Sequence, residues 1–288
     1  MKSKLKFKRR SVASRVVFSI MFIVFMLYAI SLIYPFVWAF LSALKTHNEF
    51  IMHRFSLPED WIFSNFVRAF QELRVNDSNM FVMLFHSAWL TVGGTVISVS
   101  CATVLSYTVC KYKFVGRNLL YSISLIVMLL PIVGSLPSAY KLYTQLGIIN
   151  TPFMLLTYLG GFGFNFIVLY GFFSNLSWSY AEASFVDGGS DFYTFLRVML
   201  PQAKSCIVAL MIIAAIGIWN DYNTPLLFLP AYPTLAVGLY AFEQNIIYGG
   251  SYPVLFAGIL LSILPVLVLF ICFQDAIMGN MSVGGLKG

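Results

Sequence analysis

The chain has 288 residues, 59% of them hydrophobic and 10% charged, whereas soluble domains carry about a quarter charged residues. The apolar residues fall in long runs, which excludes a soluble globular protein, and no connecting segment is long enough to bury a core of its own. The net charge of +7 clusters at the N-terminus and between the apolar runs, so it reports membrane topology and not a nucleic-acid partner.

In chain order, the basic start MKSKLKFKRR leads into an apolar run over 16–40. That run exceeds the core of about 7–15 residues found in signal peptides and lacks a small-x-small exit, so it reads as a retained anchor. Six runs reach the roughly 20 apolar residues that a membrane helix needs. They are 16–44, 80–110 (with Gly93-Gly94 breaking its pattern), 119–140 (with Pro131 and Pro137 inside), 153–173, 205–229 and 254–273. Prolines and glycines inside a span are tolerated where neighbouring helices or water satisfy the freed backbone groups. With the N-terminus inside, thirteen Lys and Arg fall on the inner side and five on the outer, which predicts both termini in the cytoplasm. The outer segment 45–79 reads as a turn followed by an interfacial amphipathic helix over 61–73, with Trp61, Phe66 and Phe70 as its apolar face. The segment 230–253 carries Tyr232, Tyr240, Phe242, Tyr248 and Tyr252, read as an interfacial aromatic belt.

Enzymatic chemistry finds little footing. No phosphate-binding glycine loop is present, and the glycine-rich end 279–288 follows no strand and opens no helix. His47, His53 and His86 form no helical metal pair, and Cys101, Cys110, Cys206 and Cys272 lack metal spacing and read as small buried hydrophobes. Apart from Asp275 at the end of the last run, Asp221 is the one acid inside an apolar run, too few for a proton relay. It sits in the polar patch Trp219-Asn220-Asp221-Tyr222-Asn223-Thr224-Pro225. Two readings stand for this patch: it faces a cavity or partner, or it marks the outer end of the fifth helix.

The long polar interruption of the C-terminal half is 180–201, YAEASFVDGGSDFYTFLRVMLP. Ser179-x-x-Glu182 has the pattern of a capping box, predicting a two-turn helix to Val186. Gly188-Gly189 breaks it, Ser190 caps a second helix with Asp191 in its first turn, and Pro201 limits that helix.

This segment resembles the EAA loop of permease subunits of ATP-binding-cassette (ABC) importers. It has Glu182-Ala183-Ser184, then Gly188, then Val198-Met199-Leu200-Pro201 at the family's spacing, with serine and valine replacing alanine and isoleucine. The remainder looks like the carbohydrate branch, specifically the smaller membrane subunit of maltose-type systems. Tyr34-Pro35-Phe36 running into Ser42-Ala43-Leu44-Lys45, Leu146-Gly147-Ile148-Ile149-Asn150-Thr151, Trp219-Asn220-Asp221-Tyr222 with Pro225-Leu226, and the ending Gly284-Gly285-Leu286-Lys287-Gly288 carry the likeness, while His86-Ser87 departs from the usual Asn-Ser.

The resemblance implies an all-α integral membrane protein of six transmembrane helices with the type I ABC importer permease (MetI-like) fold. Its parts would be a basic cytoplasmic N-terminus (1–15), a permease domain (16–274, with the coupling loop at 174–204) and a cytoplasmic tail (275–288). It implies ATPase-coupling residues Glu182, Ala183, Ser184, Asp187, Gly188, Leu200 and Pro201, and tail residues Gly285, Lys287 and Gly288 that contact the ATPase. Asn220, Asp221, Tyr222 and Asn223 are the expected substrate-pathway residues. No catalytic or metal site and no cofactor is expected in this chain, since ATP and Mg would be bound by the partner subunits. Expected partners are a second, homologous permease subunit, two ATP-binding-cassette ATPase subunits, an extracellular or periplasmic solute-binding protein, a sugar and membrane lipid. The EAA pattern leaves open a permease for another solute, and a lipid-linked transferase or a membrane scaffold is the rival from another class.

Overall fold

The computed structural model describes residues 12–130 and 134–281, with side chains from 14 to 130 and 134 to 274. The basic N-terminal residues, Pro131, the Asp275 side chain and the tail residues Gly285, Lys287 and Gly288 lie outside the described residues.

Helix α1 (Val12–Ala43) carries no charge after Arg15, is mostly apolar and is exposed over 15–37. It joins the body near its end, where Trp38 stands edge-on to Phe256 at 5.0 Å. Asn65 closes that end by donating from Nδ2 to the carbonyls of Ala43 (2.8 Å) and Lys45 (2.9 Å), which satisfies helix-terminal acceptors. Lys45 is buried, and its ammonium donates to the His53 carbonyl (2.6 Å) and the Ser56 hydroxyl (3.2 Å). A short α2 (His47–Met52) follows. Thr46 Oγ1 accepts from the Glu49 N–H (3.1 Å) and Glu49 Oε2 accepts from the Thr46 N–H (3.4 Å). This is a reciprocal capping box.

Helix α3 (Ser64–Glu72) is shorter than expected. Trp61 precedes it, and its inner face is made by Asn65, Ala69 and the flanking Leu73, with Phe66 and Phe70 at the edges. This face covers the body, so Phe66 and Phe70 of the expected apolar face pack inward while Trp61 stays exposed. A tight ladder, β1 (Arg74–Val75) against β2 (Ser78–Asn79), turns at Asn76 (φ 51°).

Helix α4 (Met80–Lys111) runs unbroken for 32 residues. Gly93 and Gly94 do not interrupt it. They let Leu155, Tyr158 and Ile218 approach so closely that a Cβ on Gly94 would lie 3.0 Å from Ile218 and 3.1 Å from Tyr158. The third expected span divides into α5 (Arg117–Leu129) and α6 (Leu136–Gln145). Pro137 lies in the first turn of α6, where its missing N–H has no helical partner to lose. The fourth is a 3-10 helix (Pro152–Leu159) followed at 49° by α7 (Phe164–Asn175).

After the segment 176–203 comes α11 (Lys204–Asn220), then a break and α12 (Asn223–Phe228). Helix α13 (Leu235–Asn245) folds back against α4 and α14 (Tyr252–Met281). Most of the expected aromatic belt turns inward. Phe242 is in the core, Tyr240 stacks on Tyr222 (4.8 Å) and Tyr232 meets His86, whereas Tyr248 and Tyr252 are exposed, Tyr252 also meeting Phe50.

Three apolar clusters hold the body. One joins α3, α4, α13 and α14 around Leu73, Met83 and Val254. A middle one centres on Leu90, Met154 and Phe228. The third, around Tyr107, Phe173, Phe195 and Met199, lies at the opposite end of α4 and seats the site. Among the described residues, α1, α4 and α14 are long and apolar enough to cross a membrane singly, and two bent pairs raise this to five.

Candidate functional site

The segment expected to carry function is a helical hairpin. Its first arm is α8 (Ser179–Val186). The expected capping box at Ser179 does not form: Trp178 occupies the cap position in helical geometry and Ser179 is the first helical residue. The Ser179 N–H donates to Ser177 Oγ at 3.3 Å. The Trp178 ring is wedged between Tyr112 and Phe185, 6.0 Å from each, so ring packing sets where the helix starts. Glu182 is exposed in the first turn, and its carboxylate makes no hydrogen bond among the described residues. Its charge there suits the positive end of the helix dipole.

The turn uses both glycines. Gly188 has φ +82°, a conformation open to glycine and costly for residues with a Cβ. At Gly189 a Cβ would lie 2.5 Å from Ser184 Oγ and 2.8 Å from the Ser184 carbonyl, the same carbonyl that accepts the Gly189 N–H at 2.8 Å. The second arm opens with α9 (Asp191–Thr194), where Ser190 Oγ accepts from the Tyr193 N–H at 3.3 Å, the cap expected from the sequence. Ser184 and Thr194 hydroxyls hydrogen-bond across the arms at 2.8 Å, both buried.

Pro201 does not end this arm. A π-turn over Phe195–Met199 leads into α10 (Leu200–Gln202), and the chain bends by 75° before α11. The Leu200 N–H donates to the Phe195 carbonyl, five residues back. A proline ring clashes with the carbonyl four residues before it in a regular α-helix, and a wider turn just ahead of Pro201 relieves that clash.

The hairpin is sided. Ala181, Ser184, Thr194, Phe195 and Met199 are buried on the body, and Leu200 is half-buried. Glu182, Ala183, Asp187, Gly188 and Pro201 are exposed, beside exposed Tyr180, Val186 (88%), Phe192 (72%) and Tyr193. A recess of about 660 Å³ is lined by Ala183, Asp187, Gly188, Ser190 and Tyr193 among others. Of the expected coupling residues, the structure thus gathers Ala183, Ser184, Asp187 and Gly188 around one recess, with Glu182 on the adjoining surface and Leu200 and Pro201 at the elbow.

Two residues that the sequence did not mark complete the setting. Tyr112, just past α4, donates from its hydroxyl to Asp191 Oδ1 at 2.8 Å, and Lys111 Nζ donates to the Leu176 carbonyl at 2.6 Å. Burial, reinforced by the hydrogen bond to Asp191, pushes the Tyr112 phenol well above its usual range, so it stays a donor. A lysine in the last turn of a helix was legible as a helix-end cation, but nothing local links Tyr112 to a residue 79 positions on.

The second expected site, Asn220 to Asn223, joins α11 to α12. Asp221 Oδ1 accepts from the Asn223 N–H (2.9 Å) and the Thr224 N–H (3.2 Å), capping α12. Asn220 Nδ2 donates to the Ile216 carbonyl at 2.8 Å, and Tyr222 lies against Tyr240. The geometry favours the reading of this patch as a helix end. Nearby, Asn150 Oδ1 accepts from the Ala231 N–H (2.8 Å) and its N–H donates to the Phe228 carbonyl (2.7 Å), so the 146–151 motif staples the end of α12.

Comparison with known proteins gives three concordant results. Residues 94–282 match the family described as binding-protein-dependent transport system inner membrane component. The chain is 28% identical over 265 residues to the diacetylchitobiose uptake system permease protein NgcG of Streptomyces coelicolor, covering 91% of this chain and 86% of that one. It is 27% identical over 275 residues to the arabinooligosaccharides transport system permease protein AraQ of Bacillus subtilis, covering 92% and 94%. A crystal structure of a bacterial ABC transporter involved in alginate import contains a chain of the same fold, with TM-score 0.75, 22% identity, and coverage of 93% of this chain and 99% of that one.

Proposed function

The chain belongs to the family of inner membrane components of binding-protein-dependent transport systems, and on that premise we propose that it is the permease subunit of an ABC importer for a di- or oligosaccharide. The hairpin carries the proposal. An exposed polar-aromatic surface with a recess, sealed to the body on its other side, is what a docking element for a soluble motor requires. In this reading the hairpin faces the cytoplasm, in keeping with the excess of Lys and Arg on that side. Ala183, Asp187 and Gly188 receive a ridge of the ATPase subunit, and Glu182 makes a charged contact at the rim. Ser184, Leu200 and Pro201 hold the hairpin's shape and its join to α11.

ATP and Mg are bound by two such ATPase subunits and not by this chain. A second, homologous permease subunit completes the pathway, and an extracellular binding protein delivers the sugar. The spans lie within 16–274, with 1–15, the coupling loop (174–204) and 275–288 on the cytoplasmic side, and Gly285, Lys287 and Gly288 reaching the ATPase. Closure of the ATPase pair drives the hairpins together and shifts the helices between inward- and outward-facing states. The sugar assignment rests on what the named relatives transport. Asn220 to Asn223 stand near the pathway, with Asp221 as a cap that shapes it.

The test is reconstitution with the cognate ATPase, second permease and binding protein. ATP hydrolysis is measured with diacetylchitobiose, arabinooligosaccharides and other saccharides. Stimulation by one of them is expected, and Glu182→Ala should reduce it severalfold at unchanged assembly, because Glu182 caps nothing in its own helix. Stimulation by an amino acid or phosphate alone would overturn the sugar reading, and an ATPase subunit that never co-purifies would overturn the whole.

A further inference from the structure

The end of α4 and the residue after it touch the hairpin at the starts of α8 and α9 and at the π-turn, and hold the end of α7 that leads into it. Lys111 holds the Leu176 carbonyl at the end of α7, a cation at a helix C-terminus. Tyr112 sets its ring against Trp178 at the start of α8 and its hydroxyl on Asp191 at the start of α9. Tyr107, one turn earlier, packs its ring 5.3 Å from Phe173 and 4.7 Å from Phe195 in the π-turn. By contrast, the covalent route from the hairpin to α11 passes through one residue, Ala203, at a 75° bend. Helix α4 in turn packs along α7 and α11. Close-packed interiors transmit displacement and do not absorb it.

We infer that Lys111 and Tyr112 are positioning residues of the transport stroke, fastening the hairpin to α4 so that its movement is delivered through α4 to the membrane helices and not through the elbow alone. The Tyr112–Asp191 bond has a charged acceptor, and such bonds are about twice as strong as neutral ones. It ties the second arm of the hairpin at its start, while Lys111 holds the end of α7 that leads into the first. The inference rests on the proposed function and adds two residues to it that lie outside the docking surface.

The experiment uses the reconstituted complex and the saccharide that stimulates it. Tyr112→Phe keeps the ring and removes the donor; Lys111→Met removes the ammonium and Lys111→Arg restores a cation. Transported saccharide per ATP hydrolysed is the readout, since a role in folding alone would alter the amount of complex and leave this ratio untouched. The double variant Tyr112→Phe/Lys111→Met should lower the ratio by about fivefold or more, as befits loss of a coupling free energy, and Tyr112→Phe/Lys111→Arg should recover part of it. An assembled double variant with the wild-type ratio overturns the inference.

Should the double variant not assemble, spin labels on exposed Val115 and on exposed Arg197 in the π-turn, outside the recess, in the otherwise wild-type complex decide. The distance between them should be the same without nucleotide and with ATP plus vanadate. A shift beyond the width of the distance distribution means that α4 and the hairpin move apart, and the inference fails. A wild-type complex that no saccharide stimulates refutes the sugar assignment instead, and the label distance still tests the joint.

Discussion

The hydroxyls of Ser184 and Thr194 meet at 2.8 Å in the buried interior of the hairpin, ten residues apart in sequence and on opposite arms. This bond spans the interval bridged by the glycine turn, so the two arms close as one unit. Ser184→Ala leaves the Thr194 hydroxyl buried without its partner, which costs about 1–3 kcal/mol. Ser184→Ala with Thr194→Val removes both polar groups and should recover most of that. Thermal unfolding of the detergent-purified complex measures both. Equal stability of Ser184→Ala and the wild type would show that the bond contributes nothing.

The adjacent glycines predict different outcomes. A Cβ at Gly188 meets nothing within 4 Å, so Gly188→Ala bears conformational strain alone, about 1–2 kcal/mol. Gly189→Ala drives a methyl into the Ser184 backbone and hydroxyl and must open the turn. ATPase stimulation should therefore fall further in Gly189→Ala than in Gly188→Ala, although both line the recess and Gly188 is the more exposed. The reverse order would mean that contact with the motor, and not the shape of the turn, dominates at this pair.

Asp221 offers a test between cap and substrate contact. Asp221→Asn keeps an oxygen acceptor for the Asn223 and Thr224 N–H groups, whereas Asp221→Ala leaves both without it, at a cost of about 0.5–2 kcal/mol. Uptake close to wild type in Asp221→Asn, with a lowered melting midpoint in Asp221→Ala, is the expected pair of results. Loss of uptake in Asp221→Asn at normal stability would require the negative charge itself.

What could be read from the sequence was local. Ser190 announced its cap because the pattern needs one side chain and the next three residues. Ser179 misled because the same pattern ignores Trp178, whose ring packing outranks a serine cap. The capping box that does form, Thr46 to Glu49, carries the same S/T-x-x-E signature and was legible in the same way. Hydropathy located the long apolar runs, yet it could not show that the third, fourth and fifth are each assembled from two helices. Pro137 and the glycines at 160–163 and the Asp221 cap act on backbone geometry, to which a hydropathy window is blind. The aromatic residues of 230–253 were assigned to an interface by composition, while two of their partners, Trp89 and Phe50, lie far away in sequence. For the same reason Tyr112 went unnoticed: its role consists of a contact across 79 positions.

The π-turn over Phe195–Met199 fixes more than a bend. Each residue of an α-helix turns the chain by about 100°, and a π-turn accommodates one residue more than the α-helix does in its place. The surplus residue sets the azimuth of everything ahead of it: which side of α9 meets α8, and so which side of the hairpin looks outward. Segment 195–199 should therefore accept the loss of its surplus residue more readily than substitutions that force regular α geometry on all five residues. Closing the run as a regular α-helix at its present length would swing the arm by about 100° about its axis, turning the recess away from any partner, whereas deleting the surplus residue lets the run close with the azimuth of the arm kept.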